Sequence, residues 1–313
     1  MLQKELVKSW LAAVLLPRNN MQPSILTPQI KALPIPVRAG VGLKPDHYQT
    51  ILETKPDIGW FEIHPENYMA NGGATHHYLE QIRELYPLSI HGVGLSLGSE
   101  EGLSAEHLAS LKVLVNRYQP GLVSEHLAWC KYRNQVFNDL LPVPYTTESL
   151  EIISRNIDQT QNFLGRQILI ENPSSYFQLD YTSYTEWEFL IELVKRSGAG
   201  ILLDVNNVYV SACNHNFDAR NYIKNIPPQL VREIHLAGHS VQHLQGVKVL
   251  IDDHGSEVID EVWDLYAFTL SHLGNRPTLI EWDANIPHWE ILSNQAKIAD
   301  QAMLEKMVVN AGG

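Results

Sequence analysis

The sequence predicts a single (β/α)8 TIM barrel, and three observations carry that expectation. Eight short apolar runs recur from about residue 38 onward, each too continuously hydrophobic to be a half-exposed strand. Stretches with helical periodicity separate them. His, Glu, Asp and Asn then gather at the C-terminal ends of the runs, which is where barrels of this kind build their sites. The chain has 313 residues, 44% hydrophobic and 19% charged. That suffices for a barrel of ~250 residues with an appendage, and excludes a disordered or fibrous chain.

The runs are Val37–Leu43, Gly59–His64, Leu88–Leu97, Leu122–Leu127, Ile168–Glu171, Gly200–Val205, Val231–Leu236 and Pro277–Trp282. Buried parallel strands read this way because both of their faces are covered. Between the fourth and fifth runs, Leu150, Ile153, Ile157 and Leu164 share one helical face, and Gly165 ends that helix. Phe189, Leu190, Leu193 and Val194 do the same ahead of Gly198. A breaker also precedes strands at Pro87, Gly121 and Pro277. An open doubly wound sheet is the alternative, but it would carry a Gly-rich phosphate loop after its first strand, and none is present. No linker divides the chain, so residues 38–313 are expected to form one catalytic barrel and residues 1–37 an N-terminal extension. Within that extension the run Trp10–Leu16 follows Lys4 and Lys8 and loosely resembles a signal peptide. It is short, lacks a small-residue cleavage site, and falls far below the ~20 residues of a membrane span. A short docked helix, or a leader before a start at Met21, is the better reading.

Lys and Arg number 23 against 35 Asp and Glu, a formal charge of −12, and no window holds a dense basic cluster. Nucleic acid is therefore not an expected partner, and neither is a membrane. Two cysteines, Cys130 and Cys213, argue against a disulfide framework and for the cytoplasm.

What ends each run is more informative. The second run closes on Glu62-Ile63-His64-Pro65-Glu66-Asn67, and the third contains Ser89-Ile90-His91-Gly92. Next come Ser124-Glu125-His126, Glu171-Asn172-Pro173, Asp204-Val205-Asn206-Asn207, His235-Leu236-Ala237-Gly238-His239 and Glu281-Trp282-Asp283. Each alone has an ordinary explanation. His64 reads as a hydrogen-bonded core histidine, Glu171 or Asp204 as a helix N-cap, and Asp252-Asp253-His254-Gly255 as a polar turn. Together they resist that explanation. Carboxylates and imidazoles converging on one buried mouth cannot all stay ionised and unpaired, since each desolvated charge costs several kcal/mol. More than one metal cation resolves the conflict. No cysteine ends a strand, so thiolate zinc is not expected, while iron, zinc and manganese all suit mixed His and carboxylate ligation.

The motifs, in order, resemble the multinuclear non-haem iron-dependent oxidases. Those that carry the resemblance are Phe61–Tyr68, Ser89–Gly98, Ser124–Trp129, Glu171–Pro173, Leu203–Asn207, Glu233–His239, Asp252–Gly255 and Glu281–Asp283, spanning about residues 38 to 290. The resemblance implies a barrel related to xylose isomerases and to the trinuclear endonuclease IV fold. It implies two or three irons, in mixed Fe(II) and Fe(III) states, and O2 as cosubstrate. One iron would be held by His91, His126 and Glu171, with Glu171 bridging to a second completed by Asp204, His235 and Glu281. Asn207, Asp252 and His254 would form a third, more labile site. Family members oxidise cysteines of ribosomally made precursor peptides, usually with a small leader-binding partner protein. The Ile-His-Pro-Glu-Asn-Tyr motif is most similar to members acting on copper-sequestering, cysteine-rich peptides. His64, Glu66, Asn67, Glu125 and His239 are left to orient ligands. Glu125, His64 and His239 are also the catalytic candidates, Glu125 as a proton acceptor.

Two rival readings use the same ligands. A zinc or manganese phosphodiesterase of endonuclease IV type would activate a bridging water, but the acidic surface opposes DNA. A metal-dependent sugar isomerase would want a lysine at the mouth, and Lys131 and Lys248 do not end strands.

Overall fold

A computed structural model describes residues 33–70, 72–132 and 135–311, with side chains through 306. The expected extension, including the run Trp10–Leu16, lies outside the described residues except for 33–37. Among the described residues twelve strands follow one another: β1 Ala39–Gly42, β2 Phe61–Ile63, β3 Leu88–Gly92, β4 Leu122–His126, β5 Trp129–Tyr132, β6 Gln135–Leu141, β7 Leu169–Glu171, β8 Gly200–Asp204, β9 Val231–Ala237, β10 Ser240–Leu244, β11 Val247–Ile251 and β12 Thr278–Glu281. Eight of them close a parallel barrel in the order β1-β2-β3-β4-β7-β8-β9-β12, and β12 returns to β1. The helices are α1 Tyr48–Thr54, α2 Ala74–Leu85, α3 Ala105–Tyr118, α4 Thr147–Leu164, α5 Glu186–Ser197, α6 Val205–His215, α7 Ala219–Asn225, α8 Asp260–Leu273 and α9 Trp289–Ala311. The chain is thus the (β/α)8 barrel that its periodicity predicts. Gly165 and Gly198 end α4 and α5 at φ 70° and 69°, the left-handed conformation that glycine adopts without strain.

The hydrophobic core lies between the strands and the helical ring. Ile90, Ile201, Leu203, Ile234, Leu236 and Ile280 leave the barrel outward and are fully buried against helix residues such as Ile153, Leu193 and Val208. Because successive side chains alternate, the intervening positions turn inward, and several of these are polar. Parallel register sets their heights. His126 pairs with Glu171 across β4 and β7, and Asp204 pairs with His235 across β8 and β9.

Two departures from the sequence reading matter for the site. The third strand stops at Gly92, five residues short of the expected Leu97. The chain turns there because two carboxylates collect its backbone N–H groups. Val93 and Gly94 donate to Glu66 Oε1 at 3.2 and 2.9 Å, and Leu95 donates to Glu125 Oε1 at 3.0 Å. Leu95 and Leu97 are buried from a loop instead. The second departure is a pair of antiparallel ribbons, β5–β6 and β10–β11, that follow β4 and β9. Both are largely exposed, so they lack the continuous apolar run that marks the barrel strands. Asp252 follows directly on a ribbon strand, β11, and with Asp253 and His254 lies in the loop between it and α8, as expected. No described helix is long and apolar enough to cross a membrane.

Candidate metal centre

The inward residues of six strands meet at the C-terminal mouth. Glu171 Oε2 lies 3.0 Å from both His91 Nε2 and His126 Nε2. His235 Nδ1 lies 3.0 Å from Glu281 Oε2. His91, His126 and Glu171 can each offer one ligand atom with all atoms within 4.8 Å of one another, and the same holds for Glu171, Asp204, His235 and Glu281. Glu171 belongs to both sets. His254 stands beside the second set, with Nε2 2.8 Å from Asp252 Oδ1 and Nδ1 3.6 Å from Glu281 Oε1.

Neighbouring groups fix the orientation of these side chains. Ser124 Oγ is 2.8 Å from His91 Nδ1, which leaves His91 Nε2 aimed inward. His126 Nδ1 donates to the Gly92 carbonyl at 3.1 Å, so its Nε2 also faces in. Asp204 caps α6, accepting from the Asn207 N–H at 2.5 Å through Oδ1 and leaving Oδ2 free. The N-cap reading of Asp204 holds through Oδ1, and it leaves Oδ2 available to a ligand role. Asn207 Nδ2 donates to the Asn172 carbonyl and to Glu171 Oε1, at 3.0 and 3.3 Å.

The donor set fits cations. Asp204 Oδ2 and Asn207 Oδ1 are buried without a hydrogen-bond partner, and Glu171 Oε2, His235 Nε2 and His254 Nε2 are buried with ion-pair approaches at 3.0, 3.4 and 2.8 Å but no well-aligned hydrogen bond. Leaving five such atoms unsatisfied or poorly aligned in one place is costly. Electrostatics say the same. Burial pushes the Glu171 and Glu281 carboxyls up, but His126 and His91 hold the first well below the usual range, and His254 and His235 the second. Burial opposes charge on His126, yet Glu171 outweighs it and raises the imidazole to about 10. His235 and His254 are likewise raised, by Glu62 and Glu281 and by Asp252 and Glu281. Burial, with Glu171 and Asp252 adding to it, pushes Asp204 well above its ordinary value. Protons thus occupy positions that divalent cations would take, and metal binding would release them.

The catalytic candidates fall in different places. His64 lines a cavity of about 290 Å³ at the mouth, together with His126, Asn207, Asp252, His254 and Glu281. Its Nε2 lies 3.4 Å from Asp283 Oδ1. Glu125 and His239 do not line that cavity. Glu125 alternates with Ser124 and His126 on β4 and so faces away from them, buried under the turn after β3. Burial and the neighbouring Glu66 raise it to about 8. His239 donates through Nδ1 to Asn206 Oδ1 at 2.8 Å, and Asn206 Nδ2 donates to Asp252 Oδ1 at 2.7 Å.

Sequence reasoning gave no role to four residues that the fold places here. Asp283 touches His64, His254 and Lys44. Asn206 relays between His239 and Asp252. Glu62 and Glu233 lie inside the barrel beneath His235, at 3.4 and 3.8 Å from its Nε2. Burial and Glu62 raise Glu233 to about 8. A signal for these two was available, since Glu62-Ile63-His64 and Glu233-Ile234-His235 repeat one triplet that puts a carboxylate and an imidazole on the same strand face.

Such a centre, at the mouth of a parallel barrel, defines a (β/α)8 protein whose buried clusters could hold metal ions. Residues 38–304 match the family described as RiPP precursor modification enzyme MbnB/TglH/ChrH, and the chain belongs to that family. RiPPs are ribosomally made peptides that enzymes modify afterwards. A UPF0276 protein of Bordetella pertussis is 52% identical over 254 residues, covering 81% of this chain and 88% of that protein. A UPF0276 protein of Vibrio parahaemolyticus is 46% identical over 260 residues, covering 83% and 90%. Among solved structures, 3-keto-D-glucoside 4-epimerase of E. coli aligns with a TM-score of 0.52 at 11% identity, covering 85% of this chain and 98% of that one. A xylose isomerase-like TIM barrel protein of Mycobacterium smegmatis, in complex with magnesium, aligns at 0.53 and 11%, covering 85% and 97%. At these identities the two structures establish the fold alone.

Proposed function

We propose that residues 38–313 form a multinuclear iron oxidase that uses O2 to modify cysteines of a ribosomally made, cysteine-rich precursor peptide in the cytoplasm. The observation that carries this reading is the set of orphaned, buried N and O atoms shared around Glu171, in a chain of a precursor-modifying family. His91, His126 and Glu171 would hold one iron, and Glu171 would bridge to a second held by Asp204, His235 and Glu281. Asn207, Asp252 and His254 would hold a third. Iron bound there, in mixed Fe(II) and Fe(III) states, would supply a Lewis-acidic position for a substrate thiolate and electrons for O2.

The chain's own groups do the rest. Ser124 and the Gly92 carbonyl keep His91 Nε2 and His126 Nε2 directed inward. Glu125 acts as a positioning residue by holding the turn after β3. His64, facing the cavity beside Asp283, is placed to move a proton at substrate. His239 orients Asp252 through Asn206. Leu140, Leu141, Tyr176 and Phe177 wall the mouth and exclude water from a bound peptide. A small leader-binding partner would present that peptide.

The test begins with protein purified without added metal, in which iron at two or three per chain is expected. Loaded with Fe(II), the chain should consume O2 only with a cysteine-containing precursor peptide and its leader-binding partner. The mass change should map to cysteine, and Cys→Ser in the peptide should abolish it. Zinc-dependent anaerobic cleavage of an abasic-site oligonucleotide, without O2 uptake for any thiol peptide, would overturn the proposal.

A further inference from the structure

Beside the mouth lies a second cavity, of about 370 Å³, that the metal chemistry does not use. It shares Pro142, Ser175 and Phe177 with the mouth cavity as common wall. Aromatic side chains dominate its lining, among them Tyr184, Trp187, Phe217 and Tyr222. Phe217 and Tyr222 stack at 6.3 Å, and Trp187 meets Tyr222 edge-on at 5.5 Å.

One carboxylate lies in this aromatic setting. Glu186, in the first turn of α5, accepts from Tyr222 Oη through Oε1 at 2.9 Å and from Tyr145 Oη through Oε2 at 2.8 Å. Among the described residues no Lys, Arg or His forms an ion pair with it. The two phenols and the α5 N-terminus give partial compensation, since a helix N-terminus carries about half a positive charge. Burial nevertheless lifts the carboxyl to about 7. His215, also in the lining, is shifted down by burial and brings no charge.

A carboxylate held rigid by two phenols and walled by aromatic rings has the chemistry of an organic-cation site. The carboxylate supplies the counter-charge, ring faces add cation–π attraction, and the cavity strips water from both. Phosphates and carboxylates would be repelled, and an apolar side chain would leave Glu186 no better compensated. The position gives the cation a source. A peptide whose cysteine entered the mouth on the side of Pro142 and Phe177 would run along the wall that the two cavities share.

We propose that the cavity around Glu186 binds the guanidinium or ammonium group of a basic side chain in the precursor peptide, fixing which cysteine reaches the mouth. The peptide as source rests on the function proposed above, whereas the cation site itself does not.

The experiment uses the full chain without iron, so that oxidase activity plays no part. Nα-acetyl-arginine methylamide, Nα-acetyl-lysine methylamide and the neutral Nα-acetyl-norleucine methylamide are titrated by calorimetry and by ligand-observed NMR. At least one cationic probe should bind tenfold or more tighter than norleucine, and which one binds tells guanidinium from ammonium. Glu186→Gln should weaken that binding about tenfold or more, and Phe217→Leu, which removes a ring but keeps an apolar wall, about threefold. Circular dichroism checks that both variants fold, and if Glu186→Gln does not, Phe217→Leu decides. Equal binding of norleucine, no binding of either cation, or unchanged affinity in the folded variants would overturn the proposal. Cation binding in a chain that never consumes O2 with peptide would refute the oxidase reading alone. O2 uptake with peptide but no cation binding would remove this site alone.

Discussion

Replacing Glu171 by Gln is the sharpest perturbation of the proposed centre. The substitution keeps the shape of the side chain and removes the charge shared by the two ligand sets, His91 with His126 on one side and Asp204, His235 and Glu281 on the other. An amide is a poor bridge, and its NH2 group would oppose a cation. Both principal metals should therefore be lost together. The effect is readable as stability. A metal present at 100 times its dissociation constant stabilises the fold by ~2.7 kcal/mol. For a domain of this size each kcal/mol moves the melting temperature by ~2–4 °C. The native chain should gain ~5 °C or more per bound metal when anaerobic Fe(II) is added, and Glu171→Gln should gain at most the increment of the outer site. Thermal unfolding by circular dichroism with and without Fe(II), paired with elemental analysis, makes the measurement. A Glu171→Gln protein that keeps two irons and the full thermal shift would refute the bridging argument.

Three further outcomes follow from the same geometry. His254→Ala should lower iron by at most one per chain, because Asp252 and His254 lie between a ribbon and a loop at the edge of the set; loss of two or more irons by elemental analysis would contradict that. Gly92→Ala would drive a Cβ into Glu125 Oε2, and should cost ~1–3 kcal/mol in urea unfolding. The cost should shrink in a Glu125→Ala background, and simple additivity would show that the clash lies elsewhere. For Glu186, with about 7 in the fold against an ordinary 4.5, the folded state binds the proton more tightly. Its contribution is nil below about pH 4.5 and grows unfavourable as pH rises through 7, by the linkage of stability to proton uptake. The shift corresponds to ~3 kcal/mol at 1.36 kcal/mol per tenfold, which partial exposure reduces to ~2 kcal/mol. Glu186→Gln should therefore gain ~2 kcal/mol relative to the native chain between pH 5 and 8, and parallel stability curves would refute the assignment.

The barrel was legible from sequence because its signal is local. A strand buried on both faces must be apolar throughout, a helix must show its 3.6-residue stripe, and Gly165 and Gly198 mark helix ends by backbone sterics alone. The polar residues at strand ends were legible for the same reason, since each stands out against the apolar run before it. The ribbons were not, because β6 is exposed along nearly its whole length and carries no burial pattern to read.

Sequence by itself determined that His126, Glu171, Asp204, His235 and Glu281 stand at or near strand ends, whereas His91 came to a strand end only because β3 stops at Gly92. Only the tertiary structure decided that they meet, because their separation depends on strand register across the closed barrel, His126 with Glu171 and Asp204 with His235. Side-chain parity then turned Glu125 away from its neighbour His126, although the two are adjacent in the chain. The second cavity was wholly a tertiary matter. Tyr145, Glu186 and Tyr222 come from three separate segments and show no motif, and their grouping arises only when α5 and α7 pack beside the loop that follows β6. Periodicity reports what each element must bury, while a site is defined by distances between elements, which a one-dimensional pattern does not carry.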